Sequence, residues 1–578
     1  MRQLAICVGF GLVAGCTIST GEEPPTPPSW GVPLTGGTMT VTRDGNRAIV
    51  SDPDRDRVVI VDLVTERVAD TIALPAHSEP GRAIDDGGGR IHVALRGSGE
   101  LLTITGADHI VRPICGEPRG LAWQETGDLV HVACATGELV SVPAGGGDPV
   151  RVLHLDRDLR DVLVQNTGLV VTTFRTAQVI KLDDQGAIVS RITPTTTTRF
   201  DFSGESGSFN IPAVPEVAWR TIALPDGSLA ISHQRRLGTT LRIITGGYGG
   251  QCGGAAVESN LTIVRPDGTP FAVAPIVGAS LPVDLAVSPT NGDLAVVSVG
   301  HDTVFVVPSA SRMTPDMSDC SGMFATPLEG FQVGSPTSVA YRPNGALLIF
   351  YPEADGISIL DGNGLRGLSL GDRPRNDVGR TMFHSVTESG LACASCHPEA
   401  RDDGGVWTFD KLGKRRTQNL GGGILGRAPY HWGADMPSLH ILVDDVFTNR
   451  MGGEPATDDQ VRSLAKFLDR VPAPRGVVLD PDAVARGQAL FDSSETGCRS
   501  CHNGALFTNN TMATVGTGMT VKVPSLIGVG GRAPYMHDGC AATLRDRFGT
   551  CGGGAAHGNT GDLSEAQLGD LIAYLQSL

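Results

Sequence analysis

The chain has 578 residues, a formal net charge of −16, 76 glycines, 37 prolines and only 5% aromatic residues. Its length implies three to four domain equivalents, and its turn-rich composition favours a large β domain over a helical bundle. The acidic balance excludes nucleic acid as an expected partner and is compatible with a basic redox partner.

The first predicted element is a targeting segment. Arg2 precedes an apolar run from Leu4 to Ala14, the pattern of an export signal. Leu12-Val13-Ala14-Gly15-Cys16 resembles a bacterial lipobox, so residues 1–16 are expected to be a lipoprotein-type signal peptide. An ordinary signal peptide cut nearby is the alternative. The apolar run is too short to span a bilayer. Residues 17–37, with the run Glu22-Glu23-Pro24-Pro25-Thr26-Pro27-Pro28, have the composition of an extended tether. Together these features imply an exported protein, periplasmic or held at the outer membrane of a Gram-negative-type bacterium, with lipid as its membrane contact.

From residue 38 to 371 one pattern recurs: an apolar strand, a glycine turn and a second β-rich run. Leu121-Ala122-Trp123 leading to Val130-His131-Val132 is one instance. The turn glycines fall at Gly45, Gly88, Gly127, Gly168, Gly227, Gly292 and Gly345. Early gaps are 43, 39 and 41 residues, and later ones lengthen to 59, 65 and 53. A period near 40 with about four short strands per unit predicts an all-β propeller of seven blades, with a β-sandwich array as the competing architecture. The rhythm resembles YVTN/NHL-type propellers. Histidines 77, 92, 109, 131, 154, 233 and 301 are scattered singly and read as turn or surface residues rather than iron ligands. A ligand or protein partner of the propeller is an open expectation.

The last 200 residues carry the chemistry. Cys393-Ala-Ser-Cys396-His397 and Cys498-Arg-Ser-Cys501-His502 are two complete Cys-x-x-Cys-His motifs. This is the attachment signature of c-type haem: two thiols bond the porphyrin vinyl groups and the adjacent imidazole ligates iron. Two covalent haems are therefore expected, the alternative being a zinc knuckle built from two Cys-x-x-Cys pairs. The metal-bound nitrogens would be those of His397 and His502. Among the 12 cysteines, Cys7 falls in the signal, Cys16 would carry lipid and four hold haem. The remaining six suggest disulfides, with neighbour pairings 115–134, 252–320 and 540–551 preferred.

This region is also duplicated. A shift of 105 residues carries the first motif onto the second and Arg427-Ala428-Pro429-Tyr430 onto Arg532-Ala533-Pro534-Tyr535. Thr457 and Ser564 open similar closing helices through capping boxes, and a further helix covers about 482–491. The expected organisation is a mainly-α pair of tandem cytochrome c modules, residues 372–473 and 474–578. His431 and Met536 occupy matching positions after the repeated Tyr and are candidate distal iron ligands, with His557 and His440 as alternatives.

Residues 375–578 resemble the dihaem cytochrome c peroxidase family, which includes the enzyme that matures methylamine dehydrogenase. The resemblance rests on the paired motifs, Val523-Pro524-Ser525-Leu526 leading into Ala533-Pro534-Tyr535-Met536-His537-Asp538-Gly539, and Trp432-Gly433 after Arg416-Thr417. It implies a peroxidatic haem at His397, an electron-transfer haem at His502, Trp432 as a bridge between them, and a small redox protein as donor or acceptor. The implied activity is reduction of hydrogen peroxide or oxidation of a bound substrate. An electron-transfer cytochrome without that activity, or a propeller-based binding protein served by the haems, are the alternatives. One departure stands out: the family's distal acid before Met-Gly is here Arg450, which polarises but cannot accept a proton. Asp444, Asp445 and Glu454 are the nearby carboxylates.

Overall fold

The computed structural model describes residues 32–201, 209–249, 255–317, 322–323, 325–328 and 334–578. The signal, the lipobox, most of the tether, and Cys252 with Cys320 lie outside the described residues. Among the described residues no helix is long and apolar enough to cross a membrane.

Among the described residues, seven antiparallel sheets of four or five strands follow one another along the chain. Six are meanders of four strands; the first comprises Met39–Val41, Arg47–Asp52, Arg57–Asp62 and Arg67–Ala73. The fifth sheet has five strands and centres on the long Phe209–Ala223. The innermost strand of each sheet packs on that of the next, and Ser338–Tyr341 of the last packs on Met39–Val41 of the first. The ring closes, so the β domain is a multi-bladed propeller and a sandwich array is excluded. Six of the glycines sit in the hairpin between a blade's first and second strands, or at its exit, and Gly227 sits between the second and third strands of the five-stranded sheet. Six take positive φ; at Gly88 the neighbours Gly87 and Gly89 do so instead.

Each blade is made of consecutive strands, so side chains latch the ring. The Met39 N–H donates to Ser338 Oγ at 3.1 Å, and that hydroxyl donates to Asp284 at 2.8 Å. Arg57 pairs with Asp355, and Arg366 with Glu66, across the same seam. Between blades, facing rows of Val, Ile and Leu form separate apolar layers. Three histidines correct the expectation of turn or surface sites. His92 and His131 are fully buried on the second strands of their blades and His233 on the third strand of the five-stranded one. Each bonds a hydroxyl on the next strand of its sheet, that of Thr103, Ser141 or Thr262, at 2.8–3.0 Å. Their role is to satisfy polar groups inside the blades.

The C-terminal region repeats one helical arrangement. Helix α1 (Val378–His384) packs on α2 (Asp458–Arg470), and α3 (Pro481–Asp492) packs on α4 (Glu565–Ser577). The capping boxes at Thr457 and Ser564 are both formed. The helices cross closely. A Cβ on Gly379 would collide with the Ser463 carbonyl, and one on Gly487 with the Asp570 carbonyl. Buried Val461, Leu464, Phe467 and Leu468 of α2 join one core with Val217, Trp219, Val283 and Tyr351 of the propeller. Strand Thr240–Leu241 of a propeller insertion also pairs in parallel with Val406–Phe409. The first repeat is thus docked on the propeller by both core and sheet. Cys115–Cys134 and Cys540–Cys551 are disulfides, as the neighbour pairing predicts.

Candidate redox cofactor site

The two Cys-x-x-Cys-His motifs lie on single turns, Cys393–Cys396 and Cys498–Ser500, each leading directly into its His. Both motifs line one connected cavity of about 900 Å3. That is the upper end of the roughly 300–1,000 Å3 usual for small-molecule sites. Leu391, Trp407, Leu464, Val529 and Leu571 contribute to its apolar walls. His397 Nδ1 donates to the Arg401 carbonyl at 3.0 Å and His502 Nδ1 to the Phe507 carbonyl at 3.1 Å. A carbonyl can only accept, so Nδ1 carries the proton and Nε2 keeps its lone pair for a metal.

The four motif cysteines are free. Burial pushes the Cys393 thiol up to about 12, the opposite of what thiolate redox chemistry needs. Among the described residues no group of three or more His, Cys, Asp or Glu side chains converges as a metal cage. An apolar cavity edged by paired thiols and one oriented imidazole at each end fits covalently held haem.

The first motif is bolted to the propeller by charge. Successive blades present Arg82, Arg119, Arg160 and Arg220 from their inner strands. Glu399, two residues after His397, enters this ring and meets Arg160 at 2.6 Å, Arg119 at 2.9 Å and Arg96 at 3.4 Å. It is 1% exposed, and despite the burial these guanidiniums hold its carboxyl down at about 2. Arg401 pairs with Glu117 at 2.9 Å, and Asp402 bridges Arg416 at 2.8 Å and Arg175 at 3.2 Å. Glu399 and Ala400 both sit at φ 53°, a left-handed backbone costing roughly 1–3 kcal/mol per residue. The ion pairs hold that turn. Sequence reasoning missed this cluster, whose only signal is an arginine recurring at equivalent places in successive blades.

The remaining candidate residues fall around the cavity as follows. Trp432 lies where the repeats meet: its Nε1 donates to the Arg416 carbonyl at 2.9 Å, and its ring stands edge-on to His537 at 6.3 Å. His431 and Met536 line the cavity from corresponding tight turns, one in each repeat, with φ of 67° and 73°, each after its own cis Ala-Pro bond. His431 turns Nδ1 toward the Asp435 carboxylate at 3.5 Å. His440 is half exposed and faces Asp458 at 3.3 Å, away from an axial role. His557 stands opposite His502, ring centres 6.4 Å apart and planes 30° apart.

Arg450 is not a free distal group. It closes the π-helix Val443–Arg450, is buried, pairs with Asp445 and donates to Tyr248 Oη at 3.1 Å. Glu454 and Asp444 are exposed, leaving Asp445 as the carboxylate in contact with it. Tyr248 comes from the propeller insertion and lines the cavity beside the first motif. Its pKa is raised by burial, and because Arg450 donates to Oη, its own O–H proton is left for another acceptor. Sequence reasoning missed Tyr248; a lone aromatic at the heart of Gly246-Gly247-Tyr248-Gly249-Gly250 was the available signal.

No protein family and no curated protein sequence matches this chain. Solved structures similar to it include Kuenenia stuttgartiensis hydrazine synthase, at 17% identity and a TM-score of 0.42, covering 58% of this chain and 96% of that one. Virginiamycin B lyase from Staphylococcus aureus is similar at 11% identity and 0.40, over 55% of this chain and 92% of that one. The WD40 domain of Neurospora crassa Pan2 is similar at 10% identity and 0.38, over 60% and 92%. These are loose likenesses, and the propeller stands on the ring of sheets described above.

Proposed function

We propose that this chain is an exported dihaem c-type cytochrome of peroxidase-like organisation, seated on a propeller and anchored by an N-terminal lipid. The observation that carries the reading is that two complete attachment motifs, each with its imidazole already oriented, open on one apolar cavity. Haem bound there would supply a one-electron iron couple at each end. Cys393, Cys396 and His397 would hold one group, and Cys498, Cys501 and His502 the other. Trp432 touches both repeats and is the aromatic placed to connect them.

Reduction of hydrogen peroxide to two waters takes two electrons and two protons, the electrons delivered singly by a small redox protein. At the first end, Tyr248 is the neutral O–H donor, Asp435 is a carboxylate lining the cavity, and Asp445 is the carboxylate paired with Arg450. The propeller mouth that faces the haem unit is filled by Glu399 and its arginines. Its role there is to hold the first motif rather than to admit a ligand.

The engagement of Arg450 favours a second reading, an electron carrier without peroxidase activity, because no carboxylate stands free beside it. Two measurements decide. Intact mass after acid extraction should exceed the processed polypeptide by two haems, and one or none refutes the cofactor reading. Carbon monoxide binding to the reduced protein with peroxide turnover supports the peroxidase reading; failure of both selects the carrier.

A further inference from the structure

We infer that the His502 site is closed by imidazole on both faces, with His557 as the second axial ligand of the iron held there. The inference rests on the two-haem reading and goes beyond it, because the resemblance supplies no ligand at this position and the matched turns had pointed to Met536.

Three observations carry it. His502 and His557 both line the cavity, with ring centres 6.4 Å apart and planes 30° apart. Metal–imidazole bonds of about 2.0 Å, plus about 1.1 Å from ring nitrogen to ring centre, put two axial imidazoles about 6 Å apart. Both rings also use Nδ1 on a backbone carbonyl, Phe507 at 3.1 Å and Gly552 at 3.0 Å, which leaves Nε2 as the ligating atom of each. Finally, the segment bearing His557 is tied down from two sides. The Cys540–Cys551 disulfide fixes its start, and Arg547 donates to the His557 carbonyl at 2.6 Å. A ligand needs such support to hold its angle at the metal.

Methionine in place of histidine raises a c-type haem potential, so His557→Met should raise that of the His502 site.

The test uses the full-length protein carrying both haems. Haem content is first read by intact mass, so loss of the cofactor is separable from loss of a ligand. Ferric His557→Ala should retain two haems, convert one low-spin iron to high-spin in its electron paramagnetic resonance spectrum, and add one carbon monoxide site per molecule on reduction. His557→Met, which preserves a ligand, should stay low-spin, gain a far-red sulfur-to-iron charge-transfer band and titrate at a higher potential. An unchanged low-spin spectrum in His557→Ala overturns the inference. So does conversion of that same iron by Met536→Ala. A wild-type mass without two haems refutes the cofactor reading itself, and this inference with it.

Discussion

Glu399→Gln tests the charge bolt between the first motif and the propeller. The substitution keeps the side chain's size and removes its charge from among Arg96, Arg119 and Arg160. Glu117 remains beside Arg96 and Arg119, but Arg160 loses its carboxylate partner at 2.6 Å. Breaking a buried ion pair from one side costs about 3–5 kcal/mol. The titration gives an independent figure. A carboxyl lowered from 4.5 to about 2 by folding contributes about 3 kcal/mol at neutral pH. The folded value is depressed, so this stability is present above pH 4.5 and is lost as pH falls toward 2. At pH 3 about 1 kcal/mol of it should remain. Denaturant unfolding of wild type and Glu399→Gln at pH 7 and pH 3 should show a gap of about 3 kcal/mol that shrinks by more than half. A gap below about 0.5 kcal/mol at pH 7, the scale of an ordinary surface change, refutes the bolt. So does a gap equal at both pH values.

Gly487→Ala places a methyl group against the Asp570 carbonyl where α3 crosses α4, and should lower stability by about 1–3 kcal/mol in thermal unfolding. Paired Cys540→Ser and Cys551→Ser substitutions open an 11-residue loop and should cost about 3 kcal/mol, with faster hydrogen exchange through residues 552–558. Trp432→Phe removes the bond to the Arg416 carbonyl and should cost about 1 kcal/mol. On the proposed two-haem reading it should slow electron exchange between the irons in flash photolysis while leaving carbon monoxide binding intact; an unchanged rate removes Trp432 from the path.

Much of the fold is legible because it is local and periodic. Each blade is a run of consecutive strands, so its glycine hairpins repeat along the chain at nearly even spacing, and counting them counts the sheets. The helical repeat is legible for the same reason: capping boxes at Thr457 and Ser564 are formed by residues three apart. The disulfides at 115–134 and 540–551 close short loops, and neighbour pairing finds them. The histidines fail that approach. A lone His on a strand looks the same in sequence whether it faces water or a hydroxyl on the neighbouring strand, as His92, His131 and His233 do.

The sequence by itself determined the two Cys-x-x-Cys-His motifs, because each needs only one turn of chain to present its three groups. It also determined the duplication and the propeller rhythm. Tertiary structure alone decided what surrounds those groups. Glu399 enters an arginine ring drawn from blades hundreds of residues away, 239 positions after Arg160. Tyr248 reaches the cavity from a propeller insertion 202 residues before Arg450. His557 comes within 6.4 Å of His502, ring centre to ring centre. Such pairings depend on how blades and helices pack in three dimensions, and no spacing rule along one chain encodes a contact whose partners are set by the packing of whole elements.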